Sequence, residues 1–86
     1  MSSEIVKILD DYLNKVIVIK LRNKKTIQGN LQAFDQQMNL ILTNSKDITE
    51  GDVKSLDKII LRGDNIIMVS FPEKSNSLNP KDDASI

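Results

Sequence analysis

Gly29-Asn30-Leu31-Gln32-Ala33-Phe34-Asp35-Gln36-Gln37-Met38-Asn39-Leu40-Ile41-Leu42 is the stretch on which the fold of this 86-residue chain turns. Its first half belongs to an alternating run from Thr26 to Phe34. That run puts Ile27, Leu31 and Ala33 on one face and Gln28, Asn30 and Gln32 on the other, the two-residue period of a half-buried strand. Gly29 interrupts it, and a glycine inside a strand marks a bulge or sharp bend of the kind small barrels need. Asp35, Gln36 and Gln37 form a polar turn. Met38 to Thr43 then reads as the next strand, with Leu40 and Leu42 opposite Asn39, Ile41 and Thr43.

Toward the N-terminus, β-branched residues from Val16 to Ile19 pass into alternation through Lys20, Leu21 and Arg22, which predicts a first strand over 16–22. Asn23, Lys24 and Lys25 are its polar turn. Further upstream Ile5, Ile8, Leu9, Tyr12 and Leu13 recur at three- and four-residue steps, so the spacing predicts an amphipathic helix over about 3–13 with Asn14 as its stop. Asp10 and Asp11 sit at the negative end of that helix, so packing has to stabilise it. Toward the C-terminus, 44–57 is rich in Ser, Thr, Asp, Lys and Gly and reads as a variable loop into which strand ends extend. Strands are expected over 58–62 and 66–71, and Pro72 stops the last. The tail 73–86 is polar and is expected to be disordered. The fold class is therefore mainly β: one domain over 1–72, an N-terminal helix followed by a five-stranded, strongly bent antiparallel sheet.

Composition narrows the function. With 86 residues and 40% hydrophobic content the core is small, a shortage that oligomerisation relieves. There is no cysteine and no histidine, which excludes disulfides, thiolate or imidazole metal sites and the Cys-His and Ser-His catalytic pairs. No signal segment and no apolar run of about 20 residues appears, so a soluble, cytoplasmic protein without a membrane partner is expected. Twelve basic and twelve acidic side chains cancel, so nucleic-acid binding has to come from a local site and not from a broad positive field. A strand as apolar as Ile66 to Phe71, left at an edge, invites association. A ring that pairs each subunit's last strand with a neighbour's fourth strand uses that edge. A monomeric barrel protected by twist and tail is the alternative.

The opening stretch resembles the first signature of the Sm and Sm-like family: a glycine, an apolar position, an aromatic-Asp pair, then Met-Asn and an apolar run. Ile59-Ile60-Leu61-Arg62-Gly63-Asp64-Asn65-Ile66-Ile67 is similar to the second. With the helix, the resemblance covers residues 5 to 72, in the manner of archaeal-type members. It implies the Sm fold, an SH3-like small barrel, assembled as a ring of identical subunits, usually seven. It further implies a central pore that binds U-rich single-stranded RNA, one nucleotide per subunit, in RNA processing. No cofactor, metal or reaction is implied, and RNA-processing proteins are possible partners. The pore turns fall on Asp35 to Asn39 and Arg62 to Asn65, giving Asp35, Gln37, Asn39, Arg62, Gly63 and Asp64 as RNA-binding residues.

Within that resemblance, the roles follow from hydrogen-bond chemistry. Uracil offers acceptor O4 beside donor N3–H, and the Asn39 amide carries a donor beside an acceptor. A free amide would match cytosine after a flip, so its orientation must be fixed, and Asp35 is expected to accept one NH2 proton. Alternatively Asp35 is a turn acid bonding nearby backbone N–H groups. Arg62 lies against a base face, Gly63 admits the backbone, and the Asp64 N–H reaches O2 while its side chain braces the turn. Without the first signature, Arg62-Gly63-Asp64-Asn65 would read as a tight turn with a salt bridge. Archaeal-type members commonly carry histidine or an aromatic residue where this chain has Gln37, so stacking should be weaker here. Lys24 and Lys25 are read as a solvated hairpin tip first and as phosphate contacts second. Phe34 and Met38 are read as core, and Tyr12 as packing the helix on the sheet.

Three other functions compete. A protein-binding SH3-like module would want exposed aromatics, and the chain has three aromatic residues in all. A nuclease would use Asp35 and Asp64 to hold a metal, although no general base clusters with them. A scaffolding ring that recruits RNA-processing proteins is the remaining alternative.

Overall fold

Alternation of apolar and polar residues, bent by glycine and closed by turns, produces the architecture of the computed structural model, which describes residues 3–72. In chain order the elements are α1 (Ser3–Asp11), β1 (Val16–Leu21), β2 (Thr26–Phe34), β3 (Leu40–Asp47), β4 (Lys54–Leu61), a 3-10 turn (Gly63–Asn65) and β5 (Ile66–Ser70). The expected tail, 73–86, lies outside the described residues. The strands form one antiparallel sheet in the order β4-β3-β2-β1-β5, so β4 and β5 are its edges. This matches the expected helix followed by a bent five-stranded antiparallel sheet.

Alternation sets the core. Ile17, Ile19, Leu21, Ile27, Leu31, Leu40 and Leu42 point inward and are buried, and Leu9 of α1 joins them. Tyr12, Phe34, Met38 and Phe71 are partly buried against that cluster. The Tyr12 and Phe71 rings stack with centroids 4.7 Å apart, which ties the end of the helix to the chain leaving β5. Asn14, expected as the helix stop, closes the turn that follows the helix in the left-handed region (φ 68°), donating its N–H to the Leu31 carbonyl at 2.7 Å. Lys15 Nζ donates to the Asp11 carbonyl at 3.0 Å and so sets a cation at the negative helix end that Asp10 and Asp11 make unfavourable.

Gly29 is where the sheet bends. The β2–β3 register shifts between Gln28 and Asn30, and a Cβ at Gly29 would lie 3.0 Å from the Ser45 Cβ and 3.2 Å from the Leu42 Cβ. The close approach of β2 to β3 thus makes any side chain here tight, requiring Ser45 or Leu42 to shift by a few tenths of an ångström. A second shift between Leu31 and Ala33 continues the bend.

Several boundaries differ from the sequence reading. The helix ends at Asp11, before the predicted 13, as Tyr12 to Asn14 make turns. Met38, expected to open the third strand, stands in the turn at φ 67°, and β3 starts at Leu40. Residues 44–57, read as a variable loop into which strand ends extend, take β3 to Asp47 instead of 43 and start β4 at Lys54 instead of 58, because backbone pairing (Lys46 with Ser55, Asp47 with Lys54) needs no apolar period. Asn44 (φ 50°) and Asp57 (φ 63°) take up the register shifts, and Ser45 is buried with its hydroxyl donating to the Asp57 carbonyl.

The inward face carries the stability. Leu31→Ala, at a fully buried position, should cost about 2–5 kcal/mol in denaturant unfolding. A loss under about 1 kcal/mol would show that β2 is not central to the core.

Candidate functional site

The β2–β3 turn and the 3-10 turn after β4 lie side by side because β3 pairs with both flanking strands in matching register: Phe34 opposite Leu40, and Leu40 opposite Leu61. The first turn carries Asp35, Gln37 and Asn39, the second Arg62, Gly63 and Asp64. Gln37, Asn39, Arg62 and Asp64, with Ile60, line one open depression of about 530 Å3. Asp35 lies behind Asn39, and Gly63 lies against the Gln37 carbonyl.

Asp35 closes its own turn and orients the amide. Its Oδ1 accepts the Gln37 N–H (2.8 Å) and the Asn39 N–H (3.0 Å), while its Oδ2 accepts an Asn39 Nδ2 proton at 2.9 Å. Backbone bonds from Asp35 N to Asn39 O (3.1 Å) and from Met38 N to Asp35 O (3.1 Å) complete the turn. Both expected readings of Asp35, turn acid and amide anchor, are therefore present in one carboxylate. The Asn39 amide, then the Asn39 and Gln37 N–H groups, hold that carboxyl below its usual value.

The other end of the amide is held from the second turn. The Gly63 N–H donates to Asn39 Oδ1 at 2.8 Å. Turning the amide over would point its oxygen at the Asp35 carboxylate and its NH2 at the Gly63 N–H, two mismatches at once. One Nδ2 proton and one lone pair of Oδ1 remain for a ligand, side by side. Reading the sequence alone gave Gly63 only a permissive role and missed this donor. Glycine is required there on another count, since a Cβ would come within 2.0 Å of the Gln37 carbonyl oxygen.

Arg62 Nη2 bonds Asp64 Oδ2 at 3.0 Å, with both side chains largely exposed. The tight turn with a salt bridge is thus what stands there, joined to Asn39. An exposed pair is worth about 0–1 kcal/mol, so the guanidinium is free to leave it for a flat partner. Gln37 is exposed at the rim. Lys24 and Lys25 stand apart from the turn pair: Lys24 is at the exposed hairpin tip (φ 72°), and Lys25 Nζ lies 3.7 Å from Asp47 Oδ2. Among the described residues no group of three or more acidic side chains is placed to hold a metal ion, and no helix is long and apolar enough to cross a membrane.

Comparison with known proteins bears on this site. The LSM domain model matches residues 7–71. A snRNP Sm-like protein of Methanococcoides burtonii is 32% identical over 71 residues, which is 81% of this chain and 99% of that protein. Among solved structures, the P. aerophilum SmAP1 heptamer is 31% identical with a TM-score of 0.78, covering 85% of this chain and 100% of that one. The Pyrococcus abyssii Sm protein in complex with a uridine heptamer is 29% identical with a TM-score of 0.71, covering 76% and 93%.

The lowered Asp35 carboxyl fixes a pH dependence. A folded value below the unfolded 3.8 contributes stability that is complete above 3.8 and is lost as pH falls through the folded value. In thermal unfolding the advantage of the parent over Asp35→Asn should be constant near neutrality and shrink below pH 3.8. An advantage that persists unchanged into stronger acid would mean that the carboxylate does not hold the turn.

Proposed function

The chain belongs to the LSM domain family, and on that premise we propose that it is one subunit of a ring of identical chains that holds U-rich single-stranded RNA in its pore. The observation that carries this reading is the Asn39 amide, fixed at its nitrogen by Asp35 and at its oxygen by Gly63. Its free N–H and free lone pair face a ligand as a donor beside an acceptor, the complement of uracil O4 and N3–H. Cytosine presents the reverse order, which the fixed amide refuses.

The remaining roles fall into place around that pair. Arg62 leaves its exposed partner to lie against the base face, and the Asp64 N–H meets O2. Gln37 packs its amide plane on the opposite face, more weakly than an aromatic ring would. Repetition around a ring offsets the weak single site, because a strand held at one subunit is presented to the next at high effective concentration.

The edges support assembly. β4 exposes Ile60 (69%) and β5 exposes Ile67 (65%) and Met68 (46%), apolar side chains on the two strands that have no outer partner among the described residues. Pairing β4 of one subunit with β5 of the next covers them, and seven copies follow the heptamer seen for the P. aerophilum relative. The uridine heptamer bound by the Pyrococcus relative supports the RNA class. In this reading the protein is a cytoplasmic RNA holder in RNA processing and catalyses no reaction. Of the two acids a nuclease would need, Asp35 is engaged by Gln37 and Asn39. A scaffold that recruits RNA-processing proteins without reading RNA draws on the exposed Ile5 and Ile8 of α1, and it requires nothing of Asn39.

Asn39→Ala separates the two. Native mass should show an intact ring, while oligo-U binding weakens by about 1–3 kcal/mol per site; parental oligo-U affinity would favour the scaffold. Asp35→Ala should reduce the preference for oligo-U over oligo-C more than it reduces affinity, and an unchanged ratio would show that the amide needs no anchor.

A further inference from the structure

The turn that carries Arg62, Gly63 and Asp64 is bonded by a residue from the end of the first strand, to which the sequence assigns no role in the site. Arg22 follows the last residue of β1. Its Nε donates to the Asp64 carbonyl at 2.7 Å across 42 residues of chain, and its backbone N–H donates to the Asn65 carbonyl at 2.9 Å. The sheet explains the reach. β1 pairs with β5 with a register shift between Lys20 and Leu21, which sets Leu21 opposite Ile66 and leaves Arg22 beside the turn preceding β5. The other two cations of this hairpin make no such contact: Lys25 faces Asp47, and Lys24 sits at the tip.

The peptide N–H of Asp64 lies between two anchors. On its upstream side the Gly63 N–H is bonded to Asn39 Oδ1. On its downstream side the Asp64 carbonyl is bonded to Arg22 Nε. The Arg62–Asp64 ion pair is exposed and contributes little rigidity. The Arg22 bond is exposed as well, but it is charge-assisted, it is made to the backbone itself, and it is paired with the Arg22 N–H bond to the next carbonyl. We propose that Arg22 is a positioning residue of the nucleotide slot: by holding the Asp64 carbonyl it aims the Asp64 N–H at the base, and it does not itself contact RNA phosphate. This rests on the reading of the turn pair as a uracil site.

The test compares the assembled parent with Arg22→Ala. Hydrogen exchange without RNA, read on peptides spanning residues 62–66, should speed up roughly three- to tenfold in the variant, with residues 40–42 unchanged. Oligo-U affinity should fall by a similar factor. The dependence of log affinity on log salt should keep its slope, because no phosphate contact is lost; a lost contact would lower the slope by about 0.7. Unchanged exchange, or faster exchange with parental oligo-U affinity, overturns the proposal. So does a reduced salt slope, which would make Arg22 a phosphate ligand. A parent ring that ignores oligo-U sinks the slot reading together with this proposal, whereas normal parental binding with an indifferent variant sinks the role of Arg22 alone.

Discussion

The side-chain amide of Asn39 lies between the Asp35 carboxylate on its nitrogen and the Gly63 N–H on its oxygen. Each bond is exposed or part-buried, and a typical hydrogen bond contributes only about 0.5–1.5 kcal/mol to stability. Their joint effect is directional. Both favour one of two amide orientations that a free asparagine would populate alike, so what two modest bonds achieve together is a fixed donor and a fixed acceptor. The two partners come from different turns, which makes the amide's orientation depend on the distance between them. A sheet that held the turns an ångström further apart would keep the residues and lose the Gly63–Asn39 bond.

That distance is set by packing. Leu40 is buried and sits opposite both Phe34 and Leu61, so the residue that ends the first turn also anchors the strand that leads to the second. Two glycines remove the side chains that would wedge the arrangement apart. Gly29 lets β2 cross β3 closely where the sheet bends, and Gly63 lets the second turn approach the Gln37 carbonyl. Core, bend and site are therefore one construction: the inward leucines and isoleucines fix the strands, the bend brings their ends together, and the turn bonds convert proximity into a fixed donor and acceptor.

Sequence reading reached the element types where hydrophobic period decides them. The alternation of Ile27, Leu31 and Ala33 and the helical steps of Ile5, Ile8 and Leu9 each have a single good solution. It failed where period is silent. Residues 44–47 and 54–57 pair through backbone groups with mostly polar side chains, so their strands looked like loop. Met38 misled for the opposite reason: an apolar residue next to an apolar run reads as strand, but the turn closed by Asp35 needs a left-handed residue there. In the site, the Asp35–Asn39 contact was legible because both residues share one short turn. The Gly63 donor and the Arg22 brace were not, since they span 24 and 42 residues, and a basic hairpin gives no hint that one of its cations reaches across to the turn before β5.

Apolar edges on β4 and β5 complete the physical picture, since the strands next to the two turns also expose Ile60, Ile67 and Met68. In the proposed ring, repetition multiplies a slot whose second wall is Gln37. A crystal structure of the assembled protein with oligouridylate tests the central claim most directly. The account predicts one base per subunit, with uracil O4 and N3–H on the Asn39 amide and the Asp35 and Gly63 bonds retained. Uridylate bound away from this turn pair, or an Asn39 amide turned over with both bonds broken, would contradict it.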